Sequence, residues 1–287
     1  MAEAFWCLRH PHRSLIGSDG AFDGAGENST MTHESRGAVV VTGASSGFGA
    51  RTAQVLAEEG HPVVAVARRA DRLESLASHD PQLKIWPLVA DVRNADALAK
   101  AFEELPEEYR NVSALVNNAG LSKGLEPIQS GDRSLWREMV DTNILGLLNV
   151  TDLILPRLVA RGAGHIVNVG SIAATYPYLG GNVYGATKAF VHQLTLNMCA
   201  DLHGTGVRVS CVAPGMAKTE FALVRFDGDA DRADRLYDGV VPLSADDVAQ
   251  AVSWCLSRPP HVNVNMIEIM PTDQNLALGF PASGPSR

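Results

Sequence analysis

Seven short apolar runs, rich in β-branched residues, alternate along this chain with segments of helical periodicity. The runs lie at 38–42, 62–67, 83–89, 114–116, 165–169, 207–212 and 266–270. The helical segments lie at 50–59, 71–77, 95–105, 135–160, 183–202 and 245–256. Apolar strands alternating with helices predict a parallel sheet covered on both faces. With no internal repeat or linker, the pattern predicts one α/β domain over 37–275, a doubly wound parallel sheet of seven strands.

The flanking residues differ in character. Residues 1–36 are rich in Gly, Ser and Asp and lack periodicity, which reads as a disordered extension. Sequence lying ahead of a start at Met31 is the other reading. Residues 276–287 read as a tail.

Composition narrows the function classes. The net charge is −8 and there is no basic block, which argues against a nucleic-acid or anionic-membrane surface as the main partner. None of the four cysteines forms a C-x-x-C pair, which fits free thiols in a reducing cytoplasm. There is no H-E-x-x-H and no Cys/His cluster, so no metal site is expected. No uninterrupted apolar run reaches the ~18 residues of a membrane-spanning helix.

The first run hands over to the first helix through Thr42-Gly-Ala-Ser-Ser-Gly-Phe-Gly49. Glycines at 43, 47 and 49 let the backbone turn tightly and approach a pyrophosphate, and the helix start beyond offers unpaired N–H groups to that anion. Strand, glycine turn and helix in the first βαβ unit point to a Rossmann-type dinucleotide site, with Ser45, Ser46 and Phe48 inside the turn. The alternative is a glycine-rich turn with no ligand. The second strand ends in Ala67-Arg68-Arg69, where an NAD site would carry an Asp or Glu for the ribose 2′-hydroxyl. Two guanidiniums suit a 2′-phosphate instead, so NADP is the expected cofactor, against a solvated basic turn. Asp91 and Val92 end the third strand and are candidates for the adenine, although Asp91 could equally cap the following helix. Asn117-Asn-Ala-Gly120 ends the fourth; Asn117, Ala119 and Gly120 are candidate cofactor contacts, and Asn118 a structural one.

Tyr184 and Lys188 stand four residues apart on the predicted helix 183–202 and so share one face. A phenol, with a reference pKa of about 10, is a poor acid–base group at neutral pH unless a nearby cation favours its ionised form. Ser171, thirteen positions upstream, adds a hydroxyl. Each has an ordinary reading too: a turn cap for Ser171, helix surface for Tyr184, and for Asn143 a polar kink in the long helix 135–160.

Taken together, these residues resemble the short-chain dehydrogenase/reductase family. The match comprises Thr42-Gly-x3-Gly-x-Gly49, Asn117-Asn-Ala-Gly120, Asn143, Ser171, Tyr184-x3-Lys188 and Pro214-Gly215, and covers about residues 37–275. The segments 181–190, 201–205, 219–221, 224–229 and 261–265 look like the bacterial NADP-dependent 3-hydroxy acid dehydrogenases, a group that includes serine and allo-threonine dehydrogenases and malonic semialdehyde reductases. The chain departs from that group in its N-terminal extension and at Met216-Ala-Lys218, which is one residue shorter.

The resemblance implies hydride transfer between a nicotinamide and a carbonyl carbon. Tyr184 would exchange the proton and Ser171 would orient the carbonyl oxygen. Lys188 would hold the nicotinamide ribose and depress the Tyr184 pKa, and Asn143 would anchor a relay water. Pro214, Gly215, Met216 and Thr219 would border the cofactor, and a homotetramer in the cytoplasm is implied. A small anionic hydroxy or carbonyl substrate needs a cation, for which Arg225 is the first choice and Lys218 the second, against a solvated face shared with Asp227, Asp229, Asp231 and Asp234. The alternatives are a reductase of another small aldehyde such as sulfoacetaldehyde, a non-catalytic NADP-binding regulator, and a sugar-nucleotide epimerase.

Overall fold

The computed structural model describes residues 37–274. The readings made for 1–36 and 276–287 lie outside these residues. Seven strands form one parallel sheet in the order β3-β2-β1-β4-β5-β6-β7. They are β1 (Ala38–Thr42), β2 (Val63–Ala67), β3 (Ile85–Val89), β4 (Val112–Asn117), β5 (Gly164–Val169), β6 (Val207–Pro214) and β7 (Met266–Ile269). Alternate residues of a strand face opposite sides. Val39 and Val41 of β1 therefore join one apolar cluster, and Ala38 and Val40 the other.

The first cluster packs α1 (Gly47–Glu58), α2 (Ala70–Ser78) and, late in the chain, α10 (Ala245–Leu256) on one face through Leu56, Leu73, Val248 and Val252. The second packs α3 (Ala95–Glu103), the one-turn α4 (Glu107–Arg110), α6 (Leu147–Arg161) and α7 (Asn182–Asp201) on the other through Phe102, Tyr109, Ile154, Leu158 and Met198. Burial on both faces is why the central strands β1 and β2 are almost wholly apolar. Pro87 sits in β3, at the sheet edge, where its missing N–H removes no bond to a further strand.

The departures from the sequence-based expectation are local. The helix expected from residue 50 begins at Gly47, inside the glycine turn itself. The helix expected over 135–160 is α5 (Arg133–Val140), one π-helical stretch (Asp141–Gly146) and α6. Taken as one rod, Arg133–Arg161 is by length and composition long and apolar enough to cross a membrane, although no single apolar run in it reaches that length. Here Met139, Leu147, Val150, Ile154 and Leu158 are spent on the protein core. Two short helices, α8 (Glu220–Arg225) and α9 (Ala230–Arg235), follow β6 and had no counterpart in the expected pattern. The helix 245–256 matches its expected bounds, started by a capping box between Ser244 and Asp247.

Strand order reverses between β1 and β4. In such sheets ligands bind beyond the carboxyl ends of the strands at that switch point.

Candidate active site

The carboxyl ends of β1 to β5 border a cleft walled by the glycine turn, Arg68, Arg69, Val92, Ala119, Gly120 and Lys188. Gly43 and Gly47 hold left-handed φ values of +68° and +53°. A Cβ at Gly43 would stand 2.8 Å from Asn118 Nδ2 and 2.9 Å from Ala119 Cα, so only glycine lets the turn pass so close to β4. Asn118 secures this approach by donating to Thr42 O at 2.8 Å. Arg69 donates to Ser45 Oγ (3.1 Å) and Ser46 Oγ (2.7 Å) and pairs with Glu220 (3.1 Å). Arg68 lies exposed on the same wall. Thr142 faces the cleft with a buried hydroxyl that has no partner among the described residues. A backbone cradle, two guanidiniums at the end of β2 and an unsatisfied hydroxyl fit a phosphorylated dinucleotide.

Two expectations for this cleft need correction. Asn117 was expected to face the cofactor, but its buried amide donates to Thr151 Oγ1 and Asn168 Oδ1, both at 3.0 Å, turning the side chain into the protein. Asp91 does not cap α3: that cap is Asn94, which accepts from Ala97 N at 3.0 Å. Asp91 instead accepts from the Arg93 backbone and guanidinium (3.0 and 2.6 Å), which holds its carboxyl below the usual range.

Tyr184 stands in the first turn of α7 and Lys188 one turn further on, both buried. Ser171 ends the segment after β5, its Oγ accepting from Ala173 N at 3.1 Å while the residue lines the cleft beside Tyr184. Lys188 Nζ donates to Val169 O at 2.7 Å. Asn143 sits in the π-helical stretch. Its amide donates to Leu121 O (2.9 Å) and Thr187 Oγ1 (3.0 Å), and its Oδ1 accepts from Leu121 N (2.8 Å). It thereby ties the end of β4 to α7 and keeps one lone pair of Oδ1 for a further donor.

Burial pushes the Tyr184 phenol up to about 12; Tyr178 adds to the rise, while Arg225 and a hydrogen bond from Ser171 oppose it. Burial pushes Lys188 down to about 8. Arg225 is thus a cation beside the phenol that the sequence reading had not linked to it.

Arg225 ends α8, only 8% exposed. Its guanidinium carbon lies 5.5 Å from the Tyr184 ring centre, 5.8 Å from Tyr178 and 5.2 Å from Phe221. Nε donates to Ser122 Oγ and Nη2 to the Tyr178 hydroxyl, each at 3.1 Å. It has no carboxylate partner among the described residues. Lys218, the second choice, is exposed and pairs with Asp234 at 3.0 Å. Arg232 stacks on Phe226 at 4.4 Å. Pro214, Gly215, Met216 and Thr219 line the substrate side with Gln274, whose Oε1 accepts from Met216 N at 2.7 Å. Ser122, Tyr178, Phe221 and Gln274 escaped the sequence reading. Tyr178 left a trace as an aromatic between Ser171 and Tyr184, and Phe221 as the end of the segment 219–221.

The short chain dehydrogenase pattern matches residues 37–228 of this chain. The chain belongs to that family. A serine 3-dehydrogenase of Agrobacterium fabrum is 48% identical over 244 residues, covering 85% of this chain and 97% of that protein. A sulfoacetaldehyde reductase of Chromohalobacter salexigens is 50% identical over 238 residues, covering 82% and 94%. A solved structure described as the closed form of serine dehydrogenase complexed with NADP+ superposes with a TM-score of 0.81 at 43% identity, covering 87% of this chain and 99% of that one. In this short-chain dehydrogenase the candidate cleft lies at the strand-order reversal, where ligands bind in such sheets.

Proposed function

We propose that the protein is an NADP-dependent oxidoreductase that interconverts a small 3-hydroxy acid and its carbonyl form. The observation that carries the acid is Arg225. A buried cation is ordinarily paired, and this one has only hydroxyls and aromatic faces around it. Its Nη1 has no hydrogen-bond partner among the described residues, which leaves donors for an incoming carboxylate.

When bound, NADP(H) supplies the hydride chemistry; the chain's own residues position and protonate. In this reading Gly43, Gly47 and Gly49 admit the pyrophosphate, and Arg68 and Arg69 hold the 2′-phosphate. Arg225 anchors the carboxylate and Ser171 orients the carbonyl oxygen. Tyr184 gives its proton to the oxygen in reduction and, as the phenolate, takes one in oxidation. Lys188 holds the ribose side of the site, and Asn143 offers its free lone pair to a relay water. A cytoplasmic homotetramer is part of the proposal. Exposed Leu145, Leu196 and Trp254, with β7 the edge strand among the described residues, support an assembly that covers them. Sedimentation yielding a monomer would exclude that part.

A second reading, reduction of a small sulfonated aldehyde, is favoured by the same Arg225 and by the sulfoacetaldehyde reductase relative. One experiment separates the two. NADP(H) turnover with serine, allo-threonine, 3-hydroxypropionate and sulfoacetaldehyde, ranked by kcat/KM, should favour a hydroxy carboxylic acid. A uniform lack of turnover would remove the anionic-substrate reading altogether.

A further inference from the structure

All three nitrogens of the Arg69 guanidinium are engaged. Nε and Nη2 hold Ser45 and Ser46 of the glycine turn, and Nη1 holds Glu220 Oε2 at 3.1 Å. Arg72 Nη1 reaches the other oxygen of the same carboxylate at 3.6 Å. Glu220 is the first residue of α8, beyond β6 and 151 positions from Arg69. A helix from the substrate side of the cleft thus places an anion on an arginine that the cofactor's 2′-phosphate would need. We propose that Glu220 competes with the 2′-phosphate for Arg69, and so sets how strongly the protein prefers NADP(H) over NAD(H). The inference rests on the NADP reading given above.

A phosphate draws on guanidinium donors in a fixed, bidentate geometry. On Arg69 three of the five N–H donors are already engaged, one of them by a carboxylate, and the phosphate displaces Glu220 or shares the guanidinium with it. Sharing places a carboxylate beside a dianionic group, and like charges at such range repel. NAD(H) has a hydroxyl at that position and meets neither cost. The start of α8 keeps the backbone of Glu220 close to the turn. Thr219, which precedes it and caps α8 by accepting from Phe221 N at 3.2 Å, packs against the glycine turn. A Cβ at Gly47 would stand only 3.4 Å from Thr219 Cβ.

The test is the dissociation constant of NADPH and of NADH, by fluorescence titration of the full chain and of Glu220→Gln, which keeps the size of the side chain and removes its charge. Because the ion pair is exposed, NADPH should bind roughly two- to fivefold more tightly to the variant. The gain should shrink in high salt, and NADH should bind unchanged. NADPH binding that is unchanged or weaker in the variant, or a shift common to both cofactors, overturns the proposal. If the wild-type chain binds NADH more tightly than NADPH, the cofactor reading fails and takes this inference with it. If it prefers NADPH and Glu220→Gln has no effect, the inference alone fails.

Discussion

The two ends of the cleft are built by different means. At the β1–β4 end the backbone does the holding: glycines at positive φ, an Asn118 side chain bonded to Thr42 O, and strands buried on both faces. At the α8–α9 end the holding is done by side chains on two six-residue helices, through Arg225 with Ser122 and Tyr178, and through exposed ion pairs such as Lys218 with Asp234. A backbone cradle fits a group common to all dinucleotides. Side chains on short helices can be exchanged without disturbing the sheet, so the substrate end is free to differ among relatives as similar as a serine dehydrogenase and a sulfoacetaldehyde reductase.

Substitutions can break or sharpen that contrast. Where the two ends meet, Tyr184→Phe should lower kcat in both directions by about 10²–10⁴-fold with NADPH affinity intact; a variant retaining more than about a tenth of the rate would remove Tyr184 as the proton donor. On the cradle side, Gly43→Ala forces a side chain into a left-handed turn and against Asn118. It should weaken NADPH roughly 100-fold in titrations while the KM for the acid at saturating cofactor changes little.

At the α8–α9 end the pattern should invert. Arg225→Ala should raise the KM for a carboxylate substrate roughly 30-fold, because truncating one member of a buried charge pair costs about 2 kcal/mol or more, and leave the NADPH dissociation constant unchanged. It has a pH signature as well. Arg225 lowers the Tyr184 pKa, so its loss raises that pKa further. Oxidation needs the phenolate, and its rate climbs with pH towards the phenol pKa. In the variant that climb should move to higher pH, whereas reduction, which uses the protonated phenol, should stay flat through neutrality. The smallest effect belongs to Lys218→Ala. Its exposed pair with Asp234 is worth about 0–1 kcal/mol, so kcat/KM should stay within about twofold; a large rise in KM would move the anion site from Arg225 to Lys218.

The same contrast explains what was legible in the sequence. Strand runs, the glycine turn and the spacing of Tyr184 and Lys188 are local patterns, and local patterns survive in one dimension. All seven strands were placed to within two residues at most ends, and α10 to the residue. Asn117 went wrong because a side chain at the end of a buried strand has two faces to choose from, and spacing does not say which. Arg225 could be named as a candidate, but its isolation from any carboxylate depends on Ser122, about a hundred positions away, and on Tyr178. The charge state of the phenol is likewise a property of burial. The helix spacing offered Lys188 as a cation beside it; in the folded chain Lys188 also donates to Val169 O, and Arg225 arrives from another element.

One consequence of the π-helical stretch Asp141–Gly146 concerns phase. An i→i+5 turn accommodates one residue more than an α-helical turn, and a single residue corresponds to about 100° of rotation about the axis. The rod from Arg133 to Arg161 is thus two helices out of step. Met139, before the stretch, packs with Tyr184 and Leu121 at the site, whereas Val150, Ile154 and Leu158, after it, pack into the sheet. Deleting one residue there would leave the rod helical and hardly shorter. It would rotate one half against the other, and either the sheet or the site would lose its apolar stripe. For this rod, residue count acts as an angular coordinate, and Asn143 marks where it is reset.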